Sequence, residues 1–130
     1  MPESTTLLVV GGQGFIGSHL VNAGVKRGWQ VSSLSLRREK FAFEFEGSEK
    51  VECHHADLVD REGLAKMLRG RAYDHVINGG GYIDHQLFGK GGRSVYDQHF
   101  GGLLNLVENL NREKLKAFVQ IGSSDEYGGG

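Results

Sequence analysis

Four glycines stand close together near the N-terminus, directly after a short apolar run. The segment from Val9 to Gly17 reads VVGGQGFIG, which fits G-x-G-x-x-G at Gly12, Gly14 and Gly17 and G-x-x-G-x-x-G at Gly11, Gly14 and Gly17. Glycine adopts positive φ without a Cβ clash and lets backbone N–H groups approach an anion closely. The positive end of a following helix favours phosphate. Flexible loops also contain such triplets, but the flanking sequence favours a dinucleotide-binding turn. Its predicted binding residues are Gly11, Gly14, Phe15, Ile16 and Gly17.

Alternating apolar and amphipathic segments predict the elements that hold this turn. Five strands are predicted, at Thr6–Val10, Gln30–Leu36, Val51–Ala56, His75–Asn78 and Leu115–Ile121. Helices are predicted at Gly14–Lys26, from an Asp60 cap to Gly70 and from a Ser94 cap to Asn111, with a loop or irregular helix at 37–50 and a loop at 82–93. The inner face of the first helix is predicted to be Phe15, Ile16, Leu20, Val21 and Val25.

This alternation is typical of an α/β fold in which helices cover both faces of a parallel sheet. Right-handed crossovers predict a doubly wound (Rossmann) sheet with five strands in the order 3-2-1-4-5. A ligand is then expected across the carboxyl ends of the first and fourth strands, where the turns at 11–17 and 79–81 meet.

Length and composition bound the class of protein. The 130 residues are expected to form one dinucleotide-binding domain, 1–130, and the net charge of -1 gives no basic surface for nucleic acid. Cys53 is the one cysteine of the sequence, which excludes an internal disulfide and fits a reducing compartment. The sequence has no apolar run of about 20 residues and no signal peptide, so we expect no membrane partner and a cytoplasmic location. His54 and His55 alternate along a predicted strand, and we expect no metal site.

Four segments occur in a recognisable order: GGQGFIGSHL from Gly11, Asp57-Leu58, Val76–Gly81 and Phe118–Gly128. Together they resemble the extended short-chain dehydrogenase/reductase family, the nucleotide-sugar epimerases and dehydratases, over its N-terminal portion. The resemblance implies that Asp57 hydrogen-bonds adenine beside Leu58. It also implies that Asn78, Gly79 and Gly80 line the cofactor.

The choice of cofactor depends on the end of the second strand. Sites that prefer NAD usually carry Asp or Glu there, whereas this chain has Ser35, followed by Arg37 and Arg38. Two guanidinium groups can bind the 2′-phosphate of NADP, and each charge-assisted hydrogen bond contributes about 1.5–3 kcal/mol. The sequence therefore favours NADP over NAD. The alternative is that both arginines begin a solvated loop.

The resemblance implies a catalytic hydroxyl at Ser123, with Ser124 as the alternate. Asp125 and Glu126 stand where some dehydratases keep an acid pair, although carboxylates after a strand are ordinarily solvated. The family's Tyr-x-x-x-Lys pair occurs nowhere in the 130 residues. We therefore expect an N-terminal portion, truncated before the substrate lobe and inactive alone.

The sequence thus predicts the cofactor-binding part of an NAD(P)-dependent epimerase/dehydratase that acts on a nucleotide sugar by transient hydride transfer at a sugar carbon. A homodimer through the 94–111 helix is compatible with the resemblance. The alternative function is a non-catalytic NADP-binding module, either a redox sensor or a scaffold.

Overall fold

The computed structural model describes residues 4–36, 40–79 and 101–121. The strands are β1 (Thr6–Val10), β2 (Gln30–Ser35), β3 (Glu52–His55), β4 (His75–Asn78) and β5 (Ala117–Gln120). The helices are α1 (Phe15–Lys26), α2 (Arg61–Leu68) and α3 (Gly102–Asn109), with a 3-10 turn at Ser48–Lys50. Within these three ranges, no helix has both the length and the apolar character needed to span a bilayer.

The five strands form one parallel sheet in the order β3-β2-β1-β4-β5. Leu8 at the centre of β1 lies opposite Ser32 of β2 on one side and Val76 of β4 on the other. The predicted doubly wound fold is confirmed, strand order included. Because the order reverses between β1 and β4, a crevice opens at the carboxyl ends of these two strands.

Strand β1 is buried because both faces of the sheet are covered. Leu7 and Val9 pack with Val21 of α1 on one face. Leu8 and Val10 belong to the core on the other face, together with apolar residues of α2 and α3. An uninterrupted apolar strand is what a sheet covered on both sides requires. This rigid centre fixes the position where the glycine turn leaves β1.

The prediction that Phe15 and Ile16 belong to the inner face of α1 is wrong. Their side chains are 72% and 58% exposed. Both lie in the first turn of the helix, at the level of the glycine turn and beyond the end of β1, so no strand lies beneath them. Packing of α1 against the sheet begins at Leu20 and Val21. The exposed first turn leaves its backbone accessible at the crevice.

The predicted ends of the elements are corrected by one or two residues. β2 ends at Ser35 because its pairing with β3 stops there, and Leu36 is 53% exposed. β3 and β5 are likewise shorter at both ends than predicted, and α1 begins at Phe15 with Gly14 as its cap. Asp60 caps α2 as predicted, since its Oδ1 accepts from the Gly63 N–H at 3.1 Å, but the helix ends at Leu68. The predicted Ser94 cap and the 82–93 loop lie outside the described residues.

A buried carboxylate joins β1 to β4 at the amino-terminal edge of the sheet. Asp74 Oδ2 accepts from the Thr6 N–H at 2.8 Å and from the Thr6 hydroxyl at 3.0 Å. The ammonium groups of Lys114 and Lys116 lie 3.7 and 3.8 Å from the carboxylate. The Thr6 N–H, followed by the Thr6 hydroxyl and the two lysines, holds the pKa of Asp74 below its usual value of 3.8, against the opposing effect of burial.

We expect Asp74→Asn to flatten the acid dependence of folding stability. A carboxyl whose pKa is lower in the folded chain stabilises the fold fully above its unfolded pKa and loses that contribution as pH falls through the folded pKa. Denaturant unfolding between about pH 2 and 6 measures the effect, with Glu113→Gln, an exposed carboxylate, as control. Parallel pH profiles for the unmodified chain and Asp74→Asn would show that Asp74 does not carry the dependence.

Candidate functional site

The glycine turn begins where β1 ends and is tied to the neighbouring strand. The Gly11 N–H donates to the carbonyl of Leu34 in β2 at 2.7 Å, and Gly11 has a φ of 81°. The Gly14 N–H then donates to the Gly11 carbonyl at 3.1 Å. A positive φ at this point is far less costly for glycine than for other residues. The turn is therefore a fixed feature of the sheet edge.

Gly17 lies against the backbone of Gly11. A Cβ at Gly17 would overlap the Gly11 carbonyl oxygen, and would lie 2.7 Å from the Gly11 carbonyl carbon and 2.8 Å from the Gly12 Cα. These atoms belong to the backbone, so a side chain at this position would force the turn and the helix apart. The glycine at 17 is thus required for the close approach between the turn and α1.

Gly12 has a different reason to lack a side chain. A Cβ there would overlap the Ser33 hydroxyl of β2 and lie 3.2 Å from a methyl group of Val21. Ser33 is fully buried, and its small side chain leaves room for the turn to lie on β2. This role of Ser33 could not be predicted from the sequence, because three of the six residues of β2 are serines and nothing distinguishes Ser33 among them.

The start of α1 presents backbone donors without a competing acceptor from its own cap. Gly14 is the N-cap, with φ -74° and ψ 179°, and it supplies no side-chain cap. The first turn of α1 carries no acidic residue. The unsatisfied N–H groups and the helix dipole at such an end attract an anion. The geometry is suited to a phosphate group.

The Cys53 thiol lies near the glycine turn but adds no negative charge there. The Gln13 side-chain amide, in the glycine turn, lies 4.0 Å from the Cys53 sulfur. Burial raises the pKa of the Cys53 thiol above its usual 9.0. The thiol therefore stays protonated at neutral pH and places no negative charge beside the turn.

Ser35 ends β2 on the same side of the sheet as Ser33. Its side chain is buried, and its hydroxyl has no hydrogen-bond partner among the residues the structure describes. A buried hydroxyl without a partner costs free energy that a bound polar ligand can recover. Ser35 thus carries a buried hydroxyl, unpaired within the described residues, at the carboxyl end of β2. Arg37 and Arg38, which follow it, lie outside the described residues.

The Asp57-Leu58 pair divides between surface and core. Asp57 is half-buried, and its Oδ1 accepts from the Val59 N–H at 3.0 Å, which holds the carboxylate in a tight turn after β3. Leu58 has its side chain in the core beneath α3, and its carbonyl accepts from the Asn105 side chain at 2.8 Å. A contact between Leu58 and a ligand would therefore have to involve its backbone, whereas Asp57 has a second carboxylate oxygen to offer.

The end of β4 lies beside the glycine turn, as predicted. The Gly79 N–H donates to the carbonyl of Val10, the last residue of β1, at 2.9 Å. Asn78 is buried and donates from its side-chain amide to the Gln120 side chain of β5 at 2.8 Å. Gly79 is exposed at the crevice. Gly80, Ser123 and Ser124 lie outside the part of the chain that the structure describes.

A groove of about 750 Å³ lies at the opposite, amino-terminal edge of the sheet, beside Trp29 and Tyr73. Two of its cations already have partners within the chain. The Arg71 guanidinium lies 3.1 Å from Glu52, and the Lys114 ammonium lies 3.7 Å from Asp74. The groove is thus a less suitable anion site than the glycine turn, despite its size.

Comparison with known proteins gives consistent matches. The model of the NAD dependent epimerase/dehydratase family matches residues 7–130. UDP-glucose 4-epimerase uge1 of Schizosaccharomyces pombe is 29% identical over 128 residues, covering 95% of this chain and 36% of that protein. UDP-glucose 4-epimerase of Lactobacillus helveticus is 30% identical, covering 94% of this chain and 36% of that protein. The chain thus spans little more than a third of the length of these relatives.

Solved structures agree in fold. UDP-glucose 4-epimerase of Bifidobacterium longum, in complex with NAD+ and UDP, superposes with a TM-score of 0.78 at 23% identity, over 95% of this chain and 38% of that one. The complex of Thermus thermophilus UDP-glucose 4-epimerase with NAD gives a TM-score of 0.67 at 31% identity, over 81% of this chain and 33% of that one.

Proposed function

The chain belongs to the NAD dependent epimerase/dehydratase family, and we propose that it forms the part of such an enzyme that holds the dinucleotide. The observation that carries the proposal is the approach of Gly17 to Gly11, where a Cβ would overlap the Gly11 carbonyl oxygen. This approach brings the first turn of α1 close to the ends of β1 and β4, which is the geometry that a diphosphate needs.

The chain's own residues fit this ligand in four places. The N–H groups at the start of α1 would hold the diphosphate, since the cap of that helix offers no competing side chain. The buried Ser35 hydroxyl would meet the ribose next to adenine, and Asp57 would accept from the amino group of adenine. The exposed Gly79 would let the nicotinamide half lie over the end of β4. The bound dinucleotide would supply reversible hydride transfer at a sugar carbon.

We propose a nucleotide sugar as substrate, because the relatives in the comparison are named UDP-glucose 4-epimerases. Ser123, with Ser124 as the alternate, would donate to a sugar oxygen and so orient the sugar. An acid/base tyrosine followed by a lysine four residues later is not found in these 130 residues. General acid–base catalysis contributes about 10²–10⁴-fold in rate, so the chain alone should bind the dinucleotide without converting sugar.

The choice between NAD and NADP depends on the end of β2. NAD is named in the complexes of two similar proteins. We propose a preference for NADP in this chain, because Ser35 offers no carboxylate to repel a 2′-phosphate.

Titration calorimetry on the folded chain, followed by an assay with UDP-glucose, tests the proposed function. We expect saturable binding of NADP and NAD and no epimerised product. Binding of neither dinucleotide would overturn the proposal, and rapid conversion of the sugar would overturn the assignment of an incomplete catalytic site. The sensor alternative instead predicts a marked preference for one redox form of the dinucleotide and no conversion by any longer form of the chain.

A further inference from the structure

Ser18 lies in the second turn of α1, fully buried, and its hydroxyl contacts two separate parts of the chain. It donates to the Gly12 carbonyl in the glycine turn at 3.4 Å. It also accepts from the backbone N–H of Ala42 at 2.9 Å. One hydroxyl thus uses its proton on the turn and a lone pair on a segment 24 residues later in sequence.

This use of a helical serine is unusual. A serine within a helix ordinarily bonds the carbonyl three or four residues before it, which would be Phe15 or Gly14 here. The Ser18 hydroxyl instead reaches Gly12, which precedes the helix, and Ala42, which lies outside it. The two hydrogen bonds therefore join separate elements, and the Gly14 carbonyl stays bonded to the Ser18 N–H at 2.8 Å.

The segment that Ser18 contacts, residues 40–47, is itself anchored over α1. Phe41 and Phe45 pack against the core on the α1 face of the sheet, and their ring centroids are 5.0 Å apart. Phe43 lies 4.5 Å from the ring of His19, which in turn lies 5.1 Å from Phe15 in the first turn. Segment 40–47 is thus joined to the first two turns of α1 by a hydrogen bond and by ring contacts.

Segment 40–47 is also the continuation of the chain beyond β2, whose end we propose contacts the adenosine ribose. We infer that Ser18 is a positioning residue of the dinucleotide site, because its hydroxyl holds the diphosphate turn in register with the segment that follows the coenzyme-selecting end of β2. This inference rests on the proposed function. It predicts that dinucleotide affinity and the protection of the Ala42 amide change together.

The test compares Ser18→Ala with Ser32→Ala by amide hydrogen exchange and by titration with NADP and NAD. Ser32 is a matched control, since it too is a buried serine, but it lies in β2 and its hydroxyl lies 3.5 Å from Glu52 on the face of the sheet opposite α1. For Ser18→Ala we expect at least about tenfold faster exchange at the Ala42 amide. Affinity for both dinucleotides should fall about three- to tenfold, which is the effect of one ordinary hydrogen bond. Ser18→Thr keeps the hydroxyl and should restore both quantities.

Unchanged affinity in a folded Ser18→Ala chain with a fast Ala42 amide would overturn the inference, since segment and site would then be independent. Equal losses of affinity in Ser18→Ala and Ser32→Ala would show that Ser18 affects binding only through the stability of the fold. A measurement on the unmodified chain does not depend on whether a variant folds. Saturating NADP should slow hydrogen exchange at the Ala42 amide. Unchanged exchange would contradict the coupling between dinucleotide binding and residues 40–47. Failure of the unmodified chain to bind either dinucleotide would overturn the proposed function, and this inference with it.

Discussion

Gly17→Ala should abolish tight dinucleotide binding and destabilise the fold. The added Cβ would overlap the Gly11 carbonyl oxygen and lie 2.8 Å from the Gly12 Cα, and neither backbone atom can turn aside as a flexible side chain could. Overpacking of this kind costs about 1–3 kcal/mol of stability. The displaced N–H groups would also lose two charge-assisted hydrogen bonds of about 1.5–3 kcal/mol each, so we expect affinity to fall about 100-fold or more. Denaturant unfolding and calorimetry measure the two effects.

Two other glycines provide controls for this substitution. Gly14→Ala places its Cβ 3.4 Å from the Gly11 carbonyl oxygen, an ordinary contact, at a φ of -74°. Its stability should fall much less than that of Gly17→Ala, although it lies in the same turn, since only the preference of a helix N-cap for glycine over alanine is lost. Gly101→Ala, at the start of α3, has no atom within 4 Å of the added Cβ and should leave stability and binding unchanged. Wild-type affinity in Gly17→Ala would show that the close approach has no part in binding.

Replacing Arg37 and Arg38 together by alanine should weaken NADP far more than NAD. Each guanidinium that binds the 2′-phosphate contributes about 1.5–3 kcal/mol, so the ratio of the two affinities should change about tenfold or more. Ser35→Asp tests the same contact from β2, where the structure describes a buried hydroxyl without a partner in the described ranges. Its new carboxylate would repel a 2′-phosphate and should shift the ratio in the same direction.

The ratio is taken within each variant, so a general loss of stability does not affect the comparison. Lys26→Ala, at the far end of α1, serves as control. It removes one positive charge, as the replacement of one of the two arginines does. Equal losses of NAD and NADP binding in the double variant would show that the two arginines belong to a solvated loop and do not select the coenzyme.

The fold could be predicted because its determinants are local. The apolar run of β1 and the glycines after it give the central strand and the turn. The Asp60 cap and the alternation of strands and helices give the rest of the order. The exposure of Phe15 and Ile16 could not be predicted in this way, because helical periodicity does not record where the sheet beneath a helix begins.

The candidate site could be predicted from the sequence only in part. Gly11, Gly14 and Gly17 follow from their spacing, and backbone sterics require glycine at Gly11, where φ is 81°, and at Gly17, which lies against the Gly11 backbone. The roles of Ser33 and Ser18 depend on contacts between distant segments, Ser33 on the register of β2 beside the turn and Ser18 on the path of residues 40–47 over α1. No pattern within a single element specifies such contacts.

The most direct measurement is a titration of the isotopically labelled 130-residue chain with NADP and with NAD, followed by amide NMR. We expect saturable shifts first at the amides of Phe15, Ile16 and Gly17, with the amides beside Trp29 at the opposite edge unchanged. A folded chain whose glycine-turn amides stay unmoved by both dinucleotides, or whose shifts fall in the groove beside Trp29 and Arg71, would contradict this expectation.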